Sequence, residues 1–85
     1  MAINTRPGIP IPDPTPGEFT AAGASVTLGS DGSLAIYYTT DGTTPTTSST
    51  PFTGAISILT TTTLKAIGAN QGGLSDVFTG TFSIQ

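Results

Sequence analysis

The residues of this sequence that are able to do acid–base or ionic chemistry are few. They are Asp13, Glu18, Asp31, Asp41 and Asp76 on the acidic side, Arg6 and Lys65 on the basic side, and two tyrosines. There is no histidine and no cysteine. A serine or cysteine nucleophile activated by a histidine is therefore impossible, and a zinc site lacks its usual ligands. Glycoside hydrolysis needs two carboxylates facing each other across a cleft. Asp31, Asp41 and Asp76 instead stand beside glycine or serine in turn-like sequence, where aspartate commonly bonds its own backbone. The spacing of a calcium loop is absent. The Gly29–Gly32 cluster is not a phosphate loop, because no lysine follows it. These residue types predict a protein that binds or holds, with no catalytic residues, no metal and no cofactor.

The charge pattern narrows the partners. Only 8% of the 85 residues are charged, and the net charge is −3. Nucleic-acid binding neutralises several phosphates with Lys or Arg, and only two such residues exist. A basic membrane-binding face is ruled out on the same count, and no apolar run approaches the length of a membrane span. With Met1 read as the start, residues 1–8 contain no apolar stretch of the kind that begins an export signal. That reading expects a chain made in the cytoplasm and leaving it only within a larger particle.

The elements that would position any binding residue are strands. Threonine makes up about a fifth of the chain and favours a pleated, half-buried backbone. No apolar stripe of helical period is present. Residues 24–28 alternate, with Ala24, Val26 and Leu28 on one face. After a turn at 29–32, residues 34–40 are expected to face Leu34, Ile36 and Tyr38 inward and Tyr37 outward. Asp41-Gly42 marks a tight turn, and residues 43–51 a loop with a short edge strand near 50–53. Further strands are expected at 55–59, at 62–69 with Leu64 and Ala66 inward and Lys65 outward, and at 77–84 with Phe78, Phe82 and Ile84 on one face. Short strands with turns every eight to twelve residues are the pattern of a sandwich or small barrel. The fold expected is all-β: an immunoglobulin-like β-sandwich of six to seven short antiparallel strands over residues 18–85.

Residues 1–17 read differently. They hold Pro7, Pro10, Pro12, Pro14 and Pro16, five of the seven prolines. Such alternation holds the backbone extended and bars it from a helix or a central strand. The segment is expected to be an arm. Ile9, Pro10, Ile11, Pro12 and Pro14 are its candidate partner-binding residues, with Ile9 and Ile11 as anchors. Deleting residues 1–16 is expected to leave the sandwich folded. Tyr37 is a candidate surface contact, for stacking on a sugar or packing in a subunit interface; the competing reading is ordinary cross-strand packing.

The stretch Ile36-Tyr-Tyr-Thr-Thr-Asp-Gly-Thr-Thr-Pro-Thr46 carries a resemblance. With Ser49-Thr-Pro-Phe-Thr-Gly54, Thr61-Thr-Thr-Leu-Lys-Ala66 and Gly73-Leu-Ser75, it resembles the immunoglobulin/fibronectin-III-like module at the C-terminal ends of chitobiases and β-hexosaminidases, found also in bacterial surface and phage proteins. The likeness spans about residues 16–85. It implies the fold and an accessory module without catalytic residues, and says little about function. Outward positions are mainly Thr, Ser, Gly and Ala, whereas a free monomer normally carries about 25–35% charged surface residues. The expectation drawn from this surface, the arm and the resemblance is a phage capsid decoration (cement) protein located in the virion. Its partners would be the major capsid protein and copies of itself, as a homotrimer. The alternative is a carbohydrate-binding or spacer module of a secreted glycosidase or bacterial surface protein.

Overall fold

The computed structural model of the protein describes residues 7–85. Nine strands are found there and no helix: β1 (Ile11–Asp13), β2 (Gly17–Phe19), β3 (Ala24–Gly29), β4 (Ala35–Thr39), β5 (Thr50–Pro51), β6 (Ile56–Ile58), β7 (Thr62–Asn70), β8 (Gly73–Leu74) and β9 (Phe78–Ile84). They form two sheets, one in the order β1-β3-β6 and one in the order β2-β9-β7-β4-β5, with β8 also on β7. The chain thus folds as an immunoglobulin-like β-sandwich. The expected six or seven strands become nine because β1 forms within the segment read as an arm, β2 at its boundary, and β8 ahead of the last strand. β8 and β9 both pair with β7, and β1 and β2 are the two halves of a first strand that changes sheets.

The core lies where the alternation predicts. Val26, Leu28, Ile56, Ile58, Leu64, Ala66 and Phe82 are buried together between the sheets, and Phe19, Ala24, Ile36, Tyr38, Phe52 and Ile84 pack at its margin. Phe82 stacks on Phe19 with ring centroids 5.8 Å apart. Apart from Phe52, which follows β5, these residues sit at alternate positions of their strands, so one face of each sheet is apolar and turned to the core.

Three expectations need correction, on Leu34, Phe78 and strand direction, and one core residue, Ile67, is not among those expected. Leu34 shares the parity of Ile36 and Tyr38 but precedes β4, and it is 78% exposed. The space inside at that end is taken by Ser30 and Ser33, whose hydroxyls bond each other at 2.6 Å directly over Gly68. Phe78, expected in the core, is only half-buried. Ile67 is outward by parity yet only 1% exposed. Strand pairing is also not all antiparallel, since β2 runs parallel to β9 with Gly17 opposite Phe82.

The largest correction concerns the prolines. Residues 11–13 are an edge strand, with Ile11, Pro12 and Asp13 opposite Gly29, Leu28 and Thr27 of β3. The chain then crosses between sheets through Asp13–Pro14, a cis peptide bond. Pro7, Pro10 and Pro12 are buried, and Pro14 and Pro16 are half-buried. Prolines spaced by two match the two-residue period of a strand, so they share one face of it, and here that face points inward. Deleting residues 1–16 is therefore expected to destabilise the sandwich. Uncovering Pro10, Pro12 and the β3 residues beneath them costs roughly 2–4 kcal/mol. Urea unfolding midpoints of the full and truncated chains check this; equal midpoints would mean that the segment does not support the fold.

Candidate functional site

The carboxylates do not converge. Among the described residues, no three of His, Cys, Asp or Glu come together in a way that would hold a metal ion. No buried side-chain nitrogen or oxygen there lacks a hydrogen-bond partner. Asp41 caps its own turn: its Oδ1 accepts the Thr43 hydroxyl at 2.6 Å and the Thr43 amide at 3.1 Å. Gly42, at φ 84°, lets the chain reverse there. The Thr43 hydroxyl, and after it the Thr43 amide, hold the Asp41 carboxyl below the usual aspartate range.

That shift fixes the sign of a pH dependence. Lowering the folded pKa favours the ionised form, so the stabilisation is complete above the unfolded pKa and is lost as pH falls through the folded one. A ¹³C titration of the Asp41 carboxyl is expected to give a midpoint below that of an unstructured peptide. Asp41→Asn should remove this component of acid sensitivity and nothing at neutral pH beyond it. A midpoint at or above the peptide value would contradict the capping role.

Three surfaces are left as candidates for contact. The first is the outer face of the larger sheet. Tyr37 lies on it, opposite Ile67 on one side and Pro51 on the other. Cross-strand partners share a face, so Ala35 and Ala69, Ala69 and Leu74, and Thr39 and Lys65 extend the same surface. Tyr37 is half-buried, and its place opposite Ile67 and Pro51 fits cross-strand packing. Beside this face the chain bulges at Ser75. The buried Ser75 hydroxyl accepts the Gly68 amide at 2.8 Å, and the Ser75 amide donates to the Gly68 carbonyl at 2.9 Å. These two bonds keep β7 paired where β8 stops and β9 has not begun.

The second surface is a hollow of about 330 Å³ at the end of β4, lined by Tyr38, Thr39, Asp41, Thr43, Ser48 and Thr50 among others. Its walls are almost entirely hydroxyls and one carboxylate. Thr39 donates to the Thr43 carbonyl at 2.6 Å, which shapes the rim. Sequence reasoning misses this hollow, because residues 43–51 are legible only as a loop.

The third is the β1 edge. Of the expected anchors, Ile9 and Ile11 are 44% and 65% exposed, whereas Pro10 and Pro12 are turned into the protein's own interior and Pro14 is half-buried. A groove of about 470 Å³ runs between Gly8, Ile9, Ile11, Gly29, Ser30 and Asp31. The Ser30 hydroxyl donates to the Gly8 carbonyl, and the Gly8 amide donates to the Asp31 carbonyl at 2.8 Å, so both walls are fixed to each other.

The two sheets and the core between them define a β-sandwich module. Residues 14–79 match the family model of the chitobiase/β-hexosaminidase C-terminal domain, and the chain belongs to that family. The domain is a non-catalytic module, often found in glycosidases or surface proteins. The match begins after β1 and ends within β9. No curated protein matches the chain.

Proposed function

We propose that the protein is a structural module of a virus particle, a capsid decoration or cement protein of a phage. It would hold neighbouring major capsid subunits together and cluster as a homotrimer about a symmetry axis, on the outside of the virion. The observation that carries this reading is the surface. A chain with 8% charged residues exposes Ile9, Ile11, Leu34, Leu59, Leu74 and Val77. Exposed strand edges are normally guarded by charge, especially lysine, and a lone solvated monomer gains nothing from uncovered aliphatic side chains. In a lattice these residues would be covered, and many modest contacts would add through multivalency. With Pro10 and Pro12 buried, the clamp is Ile9 and Ile11 on the edge of the sandwich rather than a free arm. The test is to purify particles from the native source, count this chain per capsid by mass spectrometry and locate it by imaging. Stoichiometric copies on the shell are expected, together with a trimer mass in solution. A monomer absent from all particles would overturn the reading.

A second reading, a carbohydrate-binding module of a glycosidase or surface protein, is favoured by the family membership and by the hydroxyl-lined hollow beside Asp41. Retention on an insoluble polysaccharide, lost on Tyr37→Ala or on substitution of Thr43, would support it. No retention on any glycan would remove it.

A further inference from the structure

The β1 edge has an unusual hydrogen-bonding character. Between residues 10 and 14 the only backbone amide hydrogens are those of Ile11 and Asp13, because Pro10, Pro12 and Pro14 have none. Ile11 and Asp13 stand opposite Gly29 and Thr27, and Pro12 between them cannot donate, so both amides are used in the ladder with β3. Among the described residues, β1 is the edge of its sheet, and between residues 10 and 14 its outer side offers carbonyl oxygens and no amide donors. A further β-strand, which needs donors and acceptors in alternation, cannot add to it.

The groove beside this edge has a matching character. Its floor is Gly29, where an added side chain would meet nothing within 4 Å. The apolar wall is Ile9 and Ile11, and the other wall is Ser30 and Asp31. Asp13 lies on the same face as Ile11, one strand period along. The pocket thus combines an aliphatic wall with the exposed carboxylate of Asp31, and Asp13 lies further along the same strand edge, on a molecule of net charge −3.

We propose that this groove is a docking site for a protein segment that presents an apolar side chain next to an arginine. The apolar side chain would lie over Gly29 against Ile9 and Ile11. The guanidinium, with five donors and no acceptor, would answer the carboxylate of Asp31 in the facing wall. The inference deepens the assembly reading by naming the chemistry of the partner. It is tested without any particle, so the two can fail separately.

The probe is a five-residue peptide with a leucine–arginine–leucine centre, titrated into the ¹⁵N-labelled full chain and followed by amide shifts. Saturable shifts at Gly8, Gly29, Ser30 and Asp31 are expected. The same peptide with glutamate replacing arginine should bind at least about tenfold more weakly, as should Asp31→Lys with the original peptide. Gly29→Phe fills the groove from a position with open space above it, and should abolish the shifts without lowering the melting temperature. Equal response to both peptides, shifts confined to another surface, or unchanged binding by folded Gly29→Phe would each overturn the proposal. So would concentration-dependent self-association that Gly29→Phe removes, since that would assign the groove to a second copy of the chain.

Discussion

Phe82→Ala is expected to remove a large part of the stability of the fold. Phe82 is fully buried in the sheet that supplies most of the structure, on the strand that both β7 and β2 flank. Its ring lies against Phe19, 29° from parallel. Truncating a buried phenylalanine typically costs about 3–5 kcal/mol, part transfer and part cavity. A chain of 85 residues has a total stability of roughly 4–13 kcal/mol. No disulfide exists to limit the unfolded state, since there is no cysteine. The loss is therefore a large part of the whole. Urea denaturation followed by far-ultraviolet circular dichroism reads it directly. A loss below about 1.5 kcal/mol would mean that the two sheets close over the gap, which the close packing of protein interiors argues against.

Gly23→Ala should come next in size, and Gly42→Ala is its control. Both glycines have φ of 84°, so both substitutions carry the same left-handed backbone penalty of roughly 1–2 kcal/mol. Their surroundings differ. A Cβ at Gly42 meets nothing within 4 Å. At Gly23 it would press into the Ile58 carbonyl oxygen and lie 2.9 Å from Leu59 Cδ2. Ala24 and Ile58 form the adjacent β3–β6 pair, so relief requires that end of the smaller sheet to open. Gly23→Ala is expected to cost about 3 kcal/mol or more and Gly42→Ala about 1 kcal/mol. The difference isolates the steric contribution. Equal losses would show that the start of β3 yields freely.

Much of the core is legible in the sequence because a strand's period is two. Val26 and Leu28, Ile36 and Tyr38, and Leu64 and Ala66 announce themselves by alternation with Thr, Ser and Lys. Ile56 and Ile58 do the same in three residues. Parity fails where another group claims the inner space. Leu34 is such a case, because Ser30 and Ser33 fill the region over Gly68. Ile67 is the reverse case: parity puts it outward, and the facing Tyr37 and the nearby Ser75 bulge flank it. The candidate surfaces are less legible still. Parity puts Tyr37 on the correct face, but its half-buried state depends on Pro51, which is fourteen residues away in sequence. The hydroxyl-lined hollow depends on the loop 43–51 folding back past β4.

By itself the sequence determined the fold class and excluded histidine- and cysteine-based catalysis. The lack of His and Cys is enough to exclude nucleophilic triads, and alternating Thr-rich runs between turn clusters leave only an all-β chain. It also determined that residues 9–16 would be extended, since proline restricts its own φ and the residue before it. Only the tertiary structure decided what that extended segment does. Extended backbone suits a free arm and an edge strand equally. The choice rests on whether β3 has a vacant edge and on whether the proline rings can be buried, both of which are set by residues far along the chain. Pairing partners are a property of the folded sheet, and local sequence carries no record of them.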